Sequence, residues 1–158
     1  MKVTKYFKII FLVSCFITSC ESEDINNSQL NFSGKLVEHS VCKETSDLEN
    51  NDVSQVDYSF DVATNELTLK HINVSFNCCL DSLYCDISLM NDTILIKEFE
   101  AVASPCRCYC LYDLDMLVTG IEAKKYTIII EHYKEYPKII FDIDLKTTTN
   151  GSFNVIKD

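Results

Sequence analysis

Val56-Asp57-Tyr58-Ser59-Phe60-Asp61-Val62-Ala63-Thr64-Asn65-Glu66-Leu67-Thr68-Leu69 alternates apolar and polar side chains on both sides of a short turn. Period-two alternation places Val56, Tyr58, Phe60 and Val62 on one face of a strand. Ala63 to Glu66 then reverses the chain, and Leu67 and Leu69 open the returning strand. Past His71 the apolar positions change parity to Ile72, Val74, Phe76 and Cys78. A one-residue change of parity inside a strand predicts a β-bulge near Lys70-His71, because an inserted residue swaps the faces of everything beyond it.

The same period runs outward from this hairpin in both directions. Ile87 and Leu89 lead into Met90-Asn91-Asp92, and Ile94 and Ile96 lead out. Cys106, Cys108, Cys110, Tyr112, Leu114, Met116 and Val118 hold one parity, and Tyr126 to Ile130 is a β-branched run. Ile139, Phe141, Ile143 and Leu145 alternate again, and Thr149-Asn150-Gly151 turns into Phe153 and Val155. Gly34 to about Cys42 makes a first strand, followed by an acidic loop from Glu44 to Asp52. No segment carries a helical stripe of useful length. Short strands separated by turns predict an all-β domain over residues 33–158, an antiparallel β-sandwich of about seven to nine strands. Gly120-Ile121 followed by Tyr126 and Ile128 resembles the corner before a late strand in immunoglobulin- and fibronectin-type modules.

Composition narrows the function classes. The 158 residues carry 24 acidic and 14 basic side chains, a formal net charge of −10. Phosphate binding needs clustered Lys and Arg, and the one basic cluster is the N-terminus, so no nucleic-acid partner is expected. Three glycines in the whole chain leave no phosphate-cradling loop.

The first twenty residues read as an address. Lys2, Lys5 and Lys8 precede the apolar stretch Ile9 to Ile17, which is too short to cross a bilayer core of about 30 Å and the right length for a secretory signal. Ile17-Thr18-Ser19-Cys20 resembles the lipobox of bacterial lipoproteins. The resemblance implies that residues 1–19 are a signal peptide cut before Cys20, that Cys20 carries the lipid, and that residues 20–32 form the lipidated cysteine and a polar tether. Glu21-Ser22-Glu23-Asp24 resembles the acidic signal with which Bacteroidetes export lipoproteins to the outer face of the outer membrane. A spacer on a periplasm-facing protein would have the same composition. Cleavage would leave 139 residues and, with three lysines gone, move the net charge from −10 to −13.

Seven cysteines follow Cys20, and six of them fall into two patches: Cys78, Cys79 and Cys85, then Cys106, Cys108 and Cys110. Beyond the inner membrane disulfides persist, which makes these six the candidate disulfide set. Next-but-one residues of a strand have Cα atoms about 6.5 Å apart, outside the usual disulfide separation, so bridges should run between the patches rather than within the row. Six cysteines allow fifteen pairings, and Cys42 is left over: free, paired between molecules, or replacing one of the six. The alternative is a soft-metal site for copper, zinc or an iron–sulfur centre, or a thiol-redox site. It would use Cys78, Cys79, Cys106, Cys108 and Cys110, with His71 joining if the bulge turns it inward. Neither patch has Cys-x-x-Cys spacing, which counts against it.

His71-Ile72-Asn73-Val74-Ser75-Phe76-Asn77-Cys78-Cys79, together with Cys106-Arg107-Cys108-Tyr109-Cys110-Leu111-Tyr112-Asp113, resembles a family of uncharacterised lipoproteins from Bacteroidetes and related bacteria. The likeness extends to Tyr136-Pro137 and to the Phe141 to Leu145 strand. It implies the envelope address and the sandwich, and it implies no activity.

Catalytic constellations are not evident: there is no Gly-x-Ser-x-Gly, His-Glu-x-x-His or EF-hand loop. Asp113 with Asp115, and Asp142 with Asp144, read as the solvent side of half-exposed strands. Glu44, Asp47, Glu49 and Asp52 read as a solvated loop, and His39 and His132 as surface or packing residues. Ser82 in Asp81-Ser82-Leu83 and Thr93 in Asp92-Thr93-Ile94 match the O-glycosylation sequon of Bacteroidetes. The expectation is a non-enzymatic, cofactor-free binding or accessory module, lipid-anchored at the outer membrane, with a glycan or another envelope protein as partner.

Overall fold

Each alternating stretch becomes a strand in the computed structural model, which describes residues 31–43, 53–132 and 137–155. Among the described residues there are nine strands and no helix. They are β1 (Ser33–His39), β2 (Ser54–Asp61), β3 (Glu66–Asn77), β4 (Ser82–Met90), β5 (Thr93–Ala101), β6 (Tyr109–Thr119), β7 (Lys125–His132), β8 (Ile139–Asp144) and β9 (Asn150–Val155). Two sheets form, ordered β1-β6-β3-β2-β9 and β4-β5-β7-β8. The signal peptide, Cys20, Glu21 to Asp24 and the acidic loop from Glu44 to Asp52 lie outside the described residues.

The sandwich is not wholly antiparallel as expected: β5 and β7 pair in parallel, Thr93 opposite Thr127 through Glu98 opposite His132. The reason is topological. The chain leaves β5, crosses to the five-stranded sheet as β6, runs back its full length, and re-enters beside β5 pointing the same way.

The alternation read from sequence is the core pattern. Val56, Phe60, Leu67, Leu69, Leu114, Met116 and Val118 face Ile94, Ile96, Ile128, Ile130, Phe141 and Ile143, and all of these are buried. Each such side chain contributes about 1.5–3 kcal/mol relative to exposure. The change of parity past His71 is a real bulge. The β3–β6 register slips between His71 and Val74, one step beyond the expected place, and Asn73 takes φ 60° there. A left-handed φ suits Asn, whose short polar side chain tolerates it. A second slip, between Leu36 and Glu38 of β1, left no trace in the alternation.

The two ends of the sandwich close differently. At one end the β2–β3 and β4–β5 hairpins turn on Asn65 (φ 56°) and Asn91 (φ 55°), and the β6–β7 connection on Gly120 (φ 71°). The chain enters the domain here, since a Cβ on Gly120 would lie 2.3 Å from the carbonyl oxygen of Asn31. Beyond that glycine Ile121 is buried and the phenol of Tyr126 accepts the N–H of Glu122 at 3.1 Å, which closes this connection onto the start of β7. At the other end, β3 and β6 approach the cysteine-rich loops.

Candidate functional site

The cysteine end is built by continuing one strand pair past its limit. Phe76 pairs with Cys110 and Asn77 with Tyr109, and the next step brings Cys78 to Cys108, whose carbonyl accepts the Cys78 N–H at 3.3 Å. Cys78 bonds Cys108 and Cys79 bonds Cys106, each pair with Cα atoms 5.6 Å apart. Cys106 and Cys108 are not strand residues as their parity suggested, because β6 starts at Tyr109. The third disulfide joins Cys42 to Cys110, with Cα atoms 5.3 Å apart.

That third bridge corrects the expected set: Cys42 is bonded, and among the described residues Cys85 is the free thiol. After β1 the chain stays beside β6, with the Ser40 N–H donating to Asp113 O at 2.9 Å and the Lys43 N–H to Leu111 O at 3.0 Å. Cys42 therefore arrives next to Cys110. Cys85 lies in the other sheet, on β4, paired across the strands with Glu98 of β5. Burial, with the Glu98 charge adding to it, pushes the Cys85 thiol up to about 12, so it stays protonated and unreactive at neutral pH.

The alternative metal or redox set is overturned as well. Cys78, Cys79, Cys106, Cys108 and Cys110 are consumed in disulfides and offer no thiolate. His71 does face inward, on the same period as the buried Leu67 and Leu69 and ahead of the bulge, yet it meets Ser54 and Glu98 rather than sulfur.

Two polar side chains organise this end, and sequence reading passed over both roles. Asn77 is buried, and its Oδ1 accepts the N–H groups of Cys79 (2.9 Å) and Cys106 (3.1 Å) while its Nδ2 donates to Cys106 O at 2.9 Å. The Asn77 N–H in turn donates to Glu100 Oε2 at 2.6 Å. One amide thus aligns the two loops that the Cys79–Cys106 bridge joins. Asp113, read only as a solvent-side carboxylate, accepts the bulge N–H of Asn73 at 3.1 Å and the ammonium of Lys43 at 2.5 Å. A residue immediately before a Cys-Cys pair, and an Asp beside an inward Tyr, were the available signals.

Between the sheets lies a buried relay. Ser54 Oγ is 2.9 Å from His71 Nε2, and His71 Nδ1 is 2.7 Å from Glu98 Oε1. With the proton on Nδ1 the ring donates to the carboxyl group and accepts from the hydroxyl. This is the connectivity of a nucleophile, its base and an orienting acid. Its burial argues against that use, since Ser54 is 4% exposed, His71 3% and Glu98 0%. A substrate carbonyl must come within about 3.5 Å of the hydroxyl oxygen. Two shallow hollows, of about 340 and 390 Å³, open elsewhere: one beside Asp92, Tyr126 and Asp142, the other between β1 and β4. The relay instead ties the two sheets together, β2 and β3 on one side and β5 on the other. The missed signal was a His at the bulge, whose own period places it inside.

The remaining candidates are scattered. Ser82 is exposed at the start of β4, while Thr93 is half-buried at the opposite end of the same hairpin. Asp142 accepts the Thr127 hydroxyl at 2.7 Å on the outer surface. His39 is exposed, and His132 packs against Phe76 with ring centroids 4.7 Å apart. Comparison of the chain with protein-family models, curated proteins and solved structures finds no match in any of the three.

Proposed function

We propose that this protein is a lipid-anchored, non-enzymatic module of the cell envelope, held on the outer membrane through Cys20 and exposed at the cell surface, where it binds a glycan or another envelope protein. The observation that carries the reading is the set of three disulfides at one end of the sandwich. Glutathione and thioredoxin keep cytosolic thiols reduced, so a chain stapled this way belongs in an oxidising compartment. That is the destination a lipobox at Ile17 to Cys20 implies. The walled-off hydroxyl of Ser54 supports a binding rather than a catalytic role, and the Cys-Cys and Cys-x-Cys-x-Cys signatures support kinship with envelope lipoproteins. The acidic balance of the chain disfavours a nucleic-acid partner.

Acylation and exposure are tested separately. In intact bacteria, Cys20→Ala is expected to abolish incorporation of an alkynyl palmitate, and continued labelling would remove the anchor. Protease added to whole cells is expected to shave the wild-type domain. Glu21→Ala, Glu23→Ala and Asp24→Ala together are expected to protect it by leaving it on the periplasmic face. An unchanged shaved fraction would sink the export reading.

A further inference from the structure

We propose that the hairpin end of the sandwich faces the lipid surface and the disulfide end points away from it. The inference rests on the anchor proposed at Cys20. It follows from where the chain enters the domain and how far it can reach.

The entry point is defined by close contact. Asn31 and Phe32 pass over Gly120, and Ser33 pairs with Thr119, which also pairs with Glu66. The other sheet closes at this end too. Lys124, in the connection from Gly120 to β7, pairs with Asp92 in the β4–β5 turn at 2.7 Å, and its carbonyl accepts the Leu145 N–H at 3.1 Å. All three disulfides lie at the opposite end, beyond or beside Asn77.

Residues 21–30 separate Cys20 from Asn31. Fully drawn out at about 3.3–3.6 Å per residue, the link from Cys20 to Asn31 spans about 36–40 Å. The twelve residues of β3 alone cover about the same distance. The stapled loops extend past the end of β3. Turning the disulfide end onto the bilayer would therefore demand more than the link can supply, whereas resting on the hairpin end leaves it slack. Exposed valines occur at both ends, Val62 at 59% on one and Val41 at 85% on the other, so apolarity does not choose between them. Reach does.

The partner of the hairpin end is thus a phospholipid surface, and the end free to meet other molecules is the stapled one, around Val41, Val53 and the Cys79–Cys106 bridge. The chain contains no tryptophan, which makes a matched pair of reporters available. The full acylated protein carrying Val62→Trp or Val41→Trp is reconstituted on vesicles of phosphatidylethanolamine and phosphatidylglycerol containing a dansyl-headgroup lipid. Energy transfer to dansyl is expected to be several-fold stronger for Val62→Trp, and Met90→Trp, at the same end, is expected to match it. Equal transfer from both ends, or stronger transfer from Val41→Trp, would overturn the orientation. Flotation with the vesicles reads the anchor independently: a protein that fails to float shows that the Cys20 reading itself is wrong, and the orientation falls with it. Lengthening the link by about 20 residues of Gly and Ser, adding about 66–72 Å of contour, is expected to shrink the difference. A difference that persists would show that reach does not set the orientation.

Discussion

The two ends of this sandwich solve the same problem with different chemistry. At the hairpin end the chain reverses within a few residues, and the devices are local: Asn65, Asn91 and Gly120 in left-handed backbone, with Ile121 and Leu145 buried just behind them. At the other end the segments that meet are distant in sequence, and closure depends on disulfides spanning 68, 30 and 27 residues, an Asn77 hub and a His71–Glu98 tie. Short connections cost little closure entropy and can be held by turn residues. Long ones cost more, and covalent links that restrict the unfolded chain offset it. The interior follows the same division. Toward the hairpins it is Val118, Leu67 and Ile94, and toward the bridges it admits His71, Glu98 and Asn77.

The contrast predicts a graded series of losses. Largest is the bridge enclosing the longest loop: Cys42→Ala with Cys110→Ala is expected to cost about 4 kcal/mol in urea unfolding. A loss no greater than that of a single hairpin-turn substitution would break the comparison. Next, His71→Ala strips the Glu98 carboxyl group of its one hydrogen-bond partner, since Oε2 has none among the described residues. The expected cost is about 3 kcal/mol, and replacing both residues with Leu should recover most of it. A double variant as unstable as the single would show that the unpaired carboxyl group is not the cause.

At the hairpin end, Gly120→Ala puts a methyl group 2.3 Å from the Asn31 carbonyl and forces alanine into φ 71°, for an expected cost of about 2 kcal/mol. Asn91→Gly, where the backbone already suits glycine, should be close to neutral by the same measurement.

The effect that vanishes at neutral pH is the pH dependence carried by Cys85. Its folded value of about 12 lies above the 9.0 of an unburied thiol, so the thiol is protonated in both states below pH 9 and contributes nothing there. Above pH 9 the unfolded chain ionises while the folded one does not, and stability declines as pH rises. Tyr112 and Tyr126, also raised by burial, add the same sign at higher pH. Cys85→Ala is expected to flatten the first part of that decline. A companion measurement is maleimide labelling at neutral pH, absent from the native domain at Cys85 and complete once it is denatured.

The hairpin end was largely legible from the chain. Alternation around Val56 to Leu69 and the turns at Asn65 and Asn91 are nearest-neighbour signals, and each became the expected element. The bulge after His71 was visible as well, because a slipped register leaves its mark in parity. The bridged end was legible in its composition and in the expectation that bridges run between the two cysteine patches, as Cys78–Cys108 and Cys79–Cys106 do. Nothing local says that Cys42 reaches Cys110, since that depends on how far the chain runs beside β6 after β1. Nor does anything local say that Cys85 faces Glu98 across a different sheet, or that Ser54 and Glu98 close on His71 from opposite sides.

Period, turn residues and charge therefore settled the fold class, the approximate number of strands and the acidic, cysteine-rich character of the domain, because each acts over a few residues along the backbone. Pairing belonged to the assembled molecule. Which cysteine is bonded, which carboxyl group is buried, and why two parallel strands share a sheet all depend on bringing together groups tens of residues apart. That proximity exists only once the two sheets have packed.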